Sequence, residues 1–355
     1  MKKINNWRRK VEVIEYDSNT IPKSLTIGKR WSIKDKKYDK YKHPRPDFEV
    51  SCFELLISTG KSILTTAHRY NEKAAIFARS YIEPFEILLD EKDGYLAFDY
   101  ENKDILRDFS KGTRHGEIAQ GINYLYAKKC LDAYAVYDFK YYAYTKKKCS
   151  SKCIGKSPDY IYCRGKDHKI GILESKGTME SDPSHFLYSG HIQCENGRKY
   201  LKKNKLTPAN SYVSAISFGT TSPRLNRHTS IYISDPENDN CFVDADIKRN
   251  SLYEYSKLFY LVGNKDATEK LMRGETLTKR DLGLTEHERI TDKTLIGEWE
   301  FKHILNKKPV MLKLGLKSAL IEYLMSNNIQ ALDTYEHKFS ENSETFEDGS
   351  FIMVE

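Results

Sequence analysis

Two acids and a lysine stand at spacings that suit metal-assisted phosphate chemistry: Asp159, Glu174 and Lys176, inside SPDYIYCRGKDHKIGILESKGT, residues 157–178. PDYIYC and HKIGILESK read as strands, and Arg164-Gly165-Lys166-Asp167-His168 between them has Gly and Asp where a turn wants them, so an antiparallel hairpin is expected. With the turn centred on Lys166, opposed residue numbers sum to about 332 or 333, which sets Asp159 across from Leu173 or Glu174, with Cβ atoms of opposed residues roughly 4.5 to 5.5 Å apart. Period-two alternation places Ile170, Ile172, Glu174 and Lys176 on one face, so an apolar face turns ionic at its end. Two acids that close are unfavourable when buried unless a cation lies between them, and a divalent ion with oxygen ligands is the usual solution. Lys176 would then orient and help deprotonate a water, or stabilise charge building on a phosphate.

Those strands need a sheet and covering helices. In HGEIAQGINYLYAKKCL the apolar residues Ile118, Ile122, Leu125 and Tyr126 recur every three or four positions, the mark of an amphipathic helix. Short β-rich runs follow at 134–144, 158–163 and 168–176, then a helix over about 189–203, then strands at 211–219 and 229–235. The order α, β, β, β, α, β, β describes a mixed α/β domain, a mixed β-sheet flanked by helices.

Pro158-Asp159, fourteen intervening residues, then Glu174-Ser175-Lys176 resembles the PD-(D/E)xK motif of the restriction-endonuclease-like phosphodiesterase superfamily. The resemblance covers about residues 105–235. It implies Mg²⁺- or Mn²⁺-dependent hydrolysis of nucleic-acid phosphodiesters on a restriction-endonuclease-like core, with Asp159 and Glu174 as metal ligands and Lys176 beside the attacking water. Members often carry a further Glu on the preceding helix. Here that residue is Glu117, a supporting acid and third ligand by the same implication, although an acid in a helix's first turn also suits the dipole without catalysis. The chain departs from the exonuclease branch whose following helix resembles Q-x-x-x-Y: Gln193 is followed by Gly197 at that position, and the nearest helix tyrosine is Tyr200. Lys199, Lys202 and Lys203 on the same helix are candidates to meet phosphates, or are its solvated face.

At 355 residues the chain exceeds the size at which one core keeps growing, so two or three units are expected. The reading is an N-terminal α+β region over 1–104 that selects substrate, a nuclease-like domain over 105–265, and a C-terminal α+β region over 266–355 with an acidic end. Residues 29–46 read as a basic loop interleaved with Trp31, Tyr38 and Tyr41, and 336–349 as an acidic tail segment or lid. Net charge is +8, but residues 1–332 carry 57 basic and 43 acidic side chains, or +14, a balance suited to a polyanion as well as to a lysine-rich solvated surface.

No apolar stretch suits a signal peptide or a membrane span, so a cytoplasmic protein without a membrane partner is expected. Seven cysteines, an odd number, argue for reduced thiols. Cys149, Cys153, Cys163 and Cys194 form an irregular zinc pattern, a competing reading with poor spacing. The functional expectation is a DNA endonuclease of restriction or anti-phage defence type, acting on nucleic acid and working as a homo-oligomer or with a defence partner protein. Alternatives are a non-catalytic nucleic-acid-binding protein on the same fold, or the strand-cleaving subunit of a transposition complex.

Overall fold

The computed structural model describes residues 6–16, 32, 34, 36, 41–65, 69–80, 88–99, 108–149, 155–222, 227–234, 242–244, 246–302, 309–326 and 336–354. The chain is mixed α/β and divides into two compact units: a motif unit of residues 9–50 and 87–245, and a terminal unit of residues 1–8, 51–86 and 246–355. Neither unit is one continuous stretch, whereas the sequence reading set three consecutive regions with borders at 104/105 and 265/266. The difference arises because strands from the N-terminal hundred residues join the motif strands in one sheet.

In the motif unit the strands are β1 (Arg8–Tyr16), β2 (Lys42–Ser51), β3 (Leu89–Lys92), β4 (Tyr95–Phe98), β5 (Ala133–Asp138), β6 (Tyr160–Arg164), β7 (Ile170–Thr178), β8 (Asn210–Ser217) and β9 (Ser230–Ser234). They form a nine-stranded mixed sheet in the order β3-β4-β1-β9-β8-β7-β6-β5, with β2 also paired to β1. The β5-β6, β6-β7 and β8-β9 pairs are antiparallel, and β7-β8 and β1-β9 are parallel. A parallel neighbour needs a crossover, and the long helix Ser184–Lys203 supplies it between β7 and β8.

Helix Asp108–Cys130 precedes β5 and buries the expected stripe of Ile118, Ile122, Leu125 and Tyr126, together with Tyr124 and Ala127. Tyr124 and Ala127 share a core cluster with Val136, Tyr160, Tyr162 and Leu173. The many tyrosines thus fill the interior, and the buried hydroxyl of Tyr142 donates to Asp244 Oδ2 at 2.7 Å. The run 134–144, expected as one strand, stops at Asp138 and continues as a π-helical turn, Tyr141–Lys146, because Asp138 Oδ1 accepts the Tyr141 N–H at 2.7 Å and turns the chain.

The terminal unit contains α1 (Cys52–Leu64), α2 (Glu72–Arg79) and a five-stranded sheet in the order β10-β11-β14-β13-β12. Its strands are Thr294–Lys302, Pro309–Leu316, Ser350–Val354, Ser343–Thr345 and Lys338–Phe339 in that order. Helices Ile247–Leu261, Lys265–Arg273 and Ser318–Ser326 complete it. The acidic stretch 336–349 supplies β12 and β13, and Glu344 is buried, so this segment is part of a sheet. Of the basic loop 29–46, Trp31 and Tyr38 lie outside the described residues. Among the described residues, no helix is long and apolar enough to cross a membrane.

Candidate active site

The β6-β7 register pairs Tyr160 with Leu173 and Cys163 with Ile170, which fixes the sum of opposed numbers at 333 and sets Asp159 level with Glu174. Their carboxylates are tied to the opposite strands: the Asp159 N–H donates to Glu174 Oε2 at 2.9 Å, and the Ser175 N–H donates to Asp159 Oδ2 at 2.9 Å. Glu174 is fully buried, whereas Lys176, two residues along the same face, keeps about a quarter of its side chain exposed and ion-pairs with Glu174 Oε1.

The helices that enclose this pair reach it through small residues. The face of β7 that carries Glu174 is covered by helix Ser184–Lys203. A Cβ on Gly190 would lie 3.2 Å from Glu174 Cγ and 2.4 Å from Val213 Cγ1, so only glycine lets the helix come this close. One turn on, Gln193 Nε2 donates to Glu174 Oε1 at 2.7 Å. The other face of β7 is covered by helix Asp108–Cys130: Asn123 Nδ2 donates to Ser175 Oγ at 2.6 Å, and a Cβ on Gly177 would meet the His115 carbonyl oxygen at 2.4 Å.

Electrostatics follow from this burial. Removal from water, then the neighbouring Asp159, pushes Glu174 up to about 8, and these outweigh the opposing Lys176. Desolvation likewise raises Asp159, partly offset by the Ser175 N–H and Lys176 and reinforced by Asp138. Asp159 is partly exposed as a residue, but its carboxylate lies against the Ser175 backbone.

The structure brings Asp159, Glu174 and Lys176 together. The Glu117 carboxylate pairs with Arg114 at 2.9 Å on the helix of the opposite face, and among the described residues it joins no three-ligand set with the two acids. Asp138, which sequence reasoning missed, is the additional acid that acts on Asp159. It ends β5 in register with Tyr160, and burial raises its carboxyl as well. The signal was present in YAVYD, an apolar run ending in an acid beside the hairpin. Lys202 and Lys203 are exposed near the end of their helix, and Lys199 pairs with Glu195 at 3.3 Å.

The position where the exonuclease pattern would have tyrosine is closed, since a Cβ on Gly197 would lie 2.6 Å from Pro158 Cδ. The zinc alternative gains no support from the described cysteines: Cys163 is buried in β6, Cys194 donates weakly to the Tyr212 carbonyl, and no cysteine belongs to a three-residue ligand set. Cys153 lies outside the described residues.

The donor set suits a hard divalent ion. Two clustered carboxylates with raised pKa values favour an added cation, and no hydrogen bond among the described residues engages Asp159 Oδ1. Comparison with known proteins gives no relative: no family model, no curated protein and no solved structure matches this chain.

Proposed function

We propose that the protein is a metal-dependent nuclease that hydrolyses nucleic-acid phosphodiesters, with DNA as the substrate and an endonuclease of restriction or anti-phage type as the class. The observation that carries this reading is the pair of backbone-to-carboxylate hydrogen bonds that ties the two acids, Asp159 N–H to Glu174 and Ser175 N–H to Asp159, with Lys176 on the face of Glu174. Salt-bridged hairpins do not require two carboxylates to share a buried corner, and burying them costs stability that a function must justify.

Asp159 and Glu174 would hold Mg²⁺ or Mn²⁺, which when bound supplies positive charge to the phosphate and acidity to a coordinated water. The chain's own groups do the rest. Gln193 fixes Glu174 Oε1, and the Asp159 N–H fixes Oε2, so the carboxylate is held in one orientation. Lys176 ion-pairs with Glu174 Oε1, and its partly exposed side chain can donate to a phosphate oxygen. Burial and the neighbouring Asp159 raise the Glu174 carboxyl, and a cation bound there would favour its ionised form. Lys199, Lys202 and Lys203 offer positive charge to the backbone along the adjoining helix.

The deciding experiment is cleavage of supercoiled plasmid DNA and of an RNA with and without Mg²⁺ or Mn²⁺, for wild type and Lys176→Ala. Metal-dependent nicking that Lys176→Ala abolishes supports the reading. Binding without cleavage under every metal condition would instead favour a non-catalytic nucleic-acid-binding protein.

A further inference from the structure

The terminal unit holds a second group of ligating side chains, remote in sequence from the motif. Glu54 in the first turn of α1, His337 just before β12 and Glu344 in β13 each offer one ligand atom, and these atoms all lie within 4.8 Å of one another. Glu54 and Glu344 are buried, and about a fifth of the His337 side chain is exposed. We propose that Glu54, His337 and Glu344 bind a divalent first-row transition ion of the zinc type, which clips the β12-β13 hairpin to the start of α1.

Part of the arrangement is explained without an ion. Ser51 and Glu54 close a capping box: the Glu54 N–H donates to Ser51 Oγ at 3.0 Å and the Ser51 N–H to Glu54 Oε2 at 3.1 Å. Glu344 Oε2 accepts from Asn6 Nδ2 at 2.8 Å and from Ser51 Oγ. Carboxylates near a helix N-terminus also suit its dipole.

The imidazole is what capping leaves unexplained. His337 Nε2 lies 2.6 Å from Glu344 Oε1 and 3.3 Å from an Arg8 guanidinium nitrogen. One ring nitrogen presents either a lone pair or a proton. With a lone pair it suits Arg8 and opposes an ionised Glu344; with a proton it suits Glu344 and opposes the Arg8 N–H. Neither state satisfies both neighbours. A cation on the lone pair, with Glu344 as co-ligand, removes the conflict on the acidic side. Arg8 also packs over the Phe339 ring at 4.2 Å.

The donor set selects the ion class. One imidazole nitrogen with carboxylate oxygens suits Zn²⁺ and its neighbours better than Mg²⁺ or Ca²⁺, and three protein ligands leave a position for water. The ligands come from residue 54 and from residues 337 and 344, so the ion would stabilise the folded unit by tying distant parts of the chain together.

The test uses the full chain, stripped with chelator and titrated with Co²⁺ and Zn²⁺, reading the visible Co²⁺ bands, bound metal after dialysis, and melting temperature. The expected result is one bound Co²⁺ with visible bands, displaced by Zn²⁺, and a melting rise of several degrees. These signals persist in Asp159→Asn and weaken about 10- to 100-fold or more in His337→Ala and in Glu54→Gln. His337→Gln serves if the alanine variant fails to fold. The proposal is overturned if wild type shows no Co²⁺ bands or if binding survives every one of these ligand variants. It is also overturned if binding is lost in Asp159→Asn alone, an outcome that would place the ion at the motif and leave the nuclease reading standing.

Discussion

Asp159 and Glu174 each accept a hydrogen bond from the other's strand, the Asp159 N–H on Glu174 Oε2 and the Ser175 N–H on Asp159 Oδ2, both at 2.9 Å. The two acids are thereby fixed in place by backbone that the hairpin register already determines, and the cost of bringing them together is carried by the whole sheet.

That cost is the first thing to measure. In metal-free buffer near pH 8, Asp159→Asn removes one of two neighbouring acids and should melt no lower than wild type. Added Mg²⁺ should raise the wild-type melting temperature and leave the variant unmoved. A variant that is both less stable and still responsive to metal would show that Asp159 is an ordinary structural acid.

The raised Glu174 predicts a pH dependence with a definite sign. A carboxyl held at about 8 in the fold, against 4.5 ordinarily, binds more protons folded than unfolded between those values. Its stabilising contribution is complete below about pH 4.5 and is lost as pH rises through 8. Glu174→Gln should therefore flatten the decline in metal-free stability over that window, measured by denaturant melts at fixed ionic strength. An equal slope in both proteins would contradict the assignment.

His191 should act at the acid end. Burial lowers its imidazole to about 4, so the neutral ring's contribution is present above the ordinary value of 6.5 and is lost as pH falls toward 4. His191→Gln should make stability less acid-sensitive across that window, by the same melts.

Gly177→Ala tests how tightly the helix of the opposite face is seated. Its Cβ would press on the His115 carbonyl, a backbone atom that cannot swing away. A loss of about 1 to 3 kcal/mol in denaturant unfolding is expected. No loss would mean that the helix shifts freely.

Glu117→Gln separates two roles for the helix acid. Its pairing with Arg114 predicts that cleavage falls much less than in Asp159→Asn. Equal loss in the two variants, in the same plasmid assay, would bring Glu117 back into the site.

The hairpin, its register and the covering helices were legible because strand alternation, turn residues and helical spacing are local signals, and the structure keeps the order α, β, β, β, α, β, β. The acids that converge from elsewhere were less so. Asp138 lies on a third strand, and its approach depends on β5 pairing beside β6, which no local pattern announces. β1 reads as a plain apolar run, yet it sits between β4 and β9 in the motif sheet, a placement set by contacts far apart in sequence. Glu344 looked like one acid among several in a polar segment. Its burial comes from packing against Asn6 and Ser51, some three hundred residues earlier.

The way the terminal unit is assembled has a consequence for synthesis. Nearly every residue of α1 is buried, so the helix has no solvent face of its own. A ribosome releases residues 52–64 long before residues 294–354, which build the sheet of the same unit. At ordinary elongation rates that delay is on the order of 10 to 50 s. During that interval the helix is an apolar segment awaiting its partners, while the motif unit, finished by residue 245, can already fold. A nascent chain of this design is suited to early capture of α1 by a chaperone, and truncation after the motif unit would leave that segment permanently without cover.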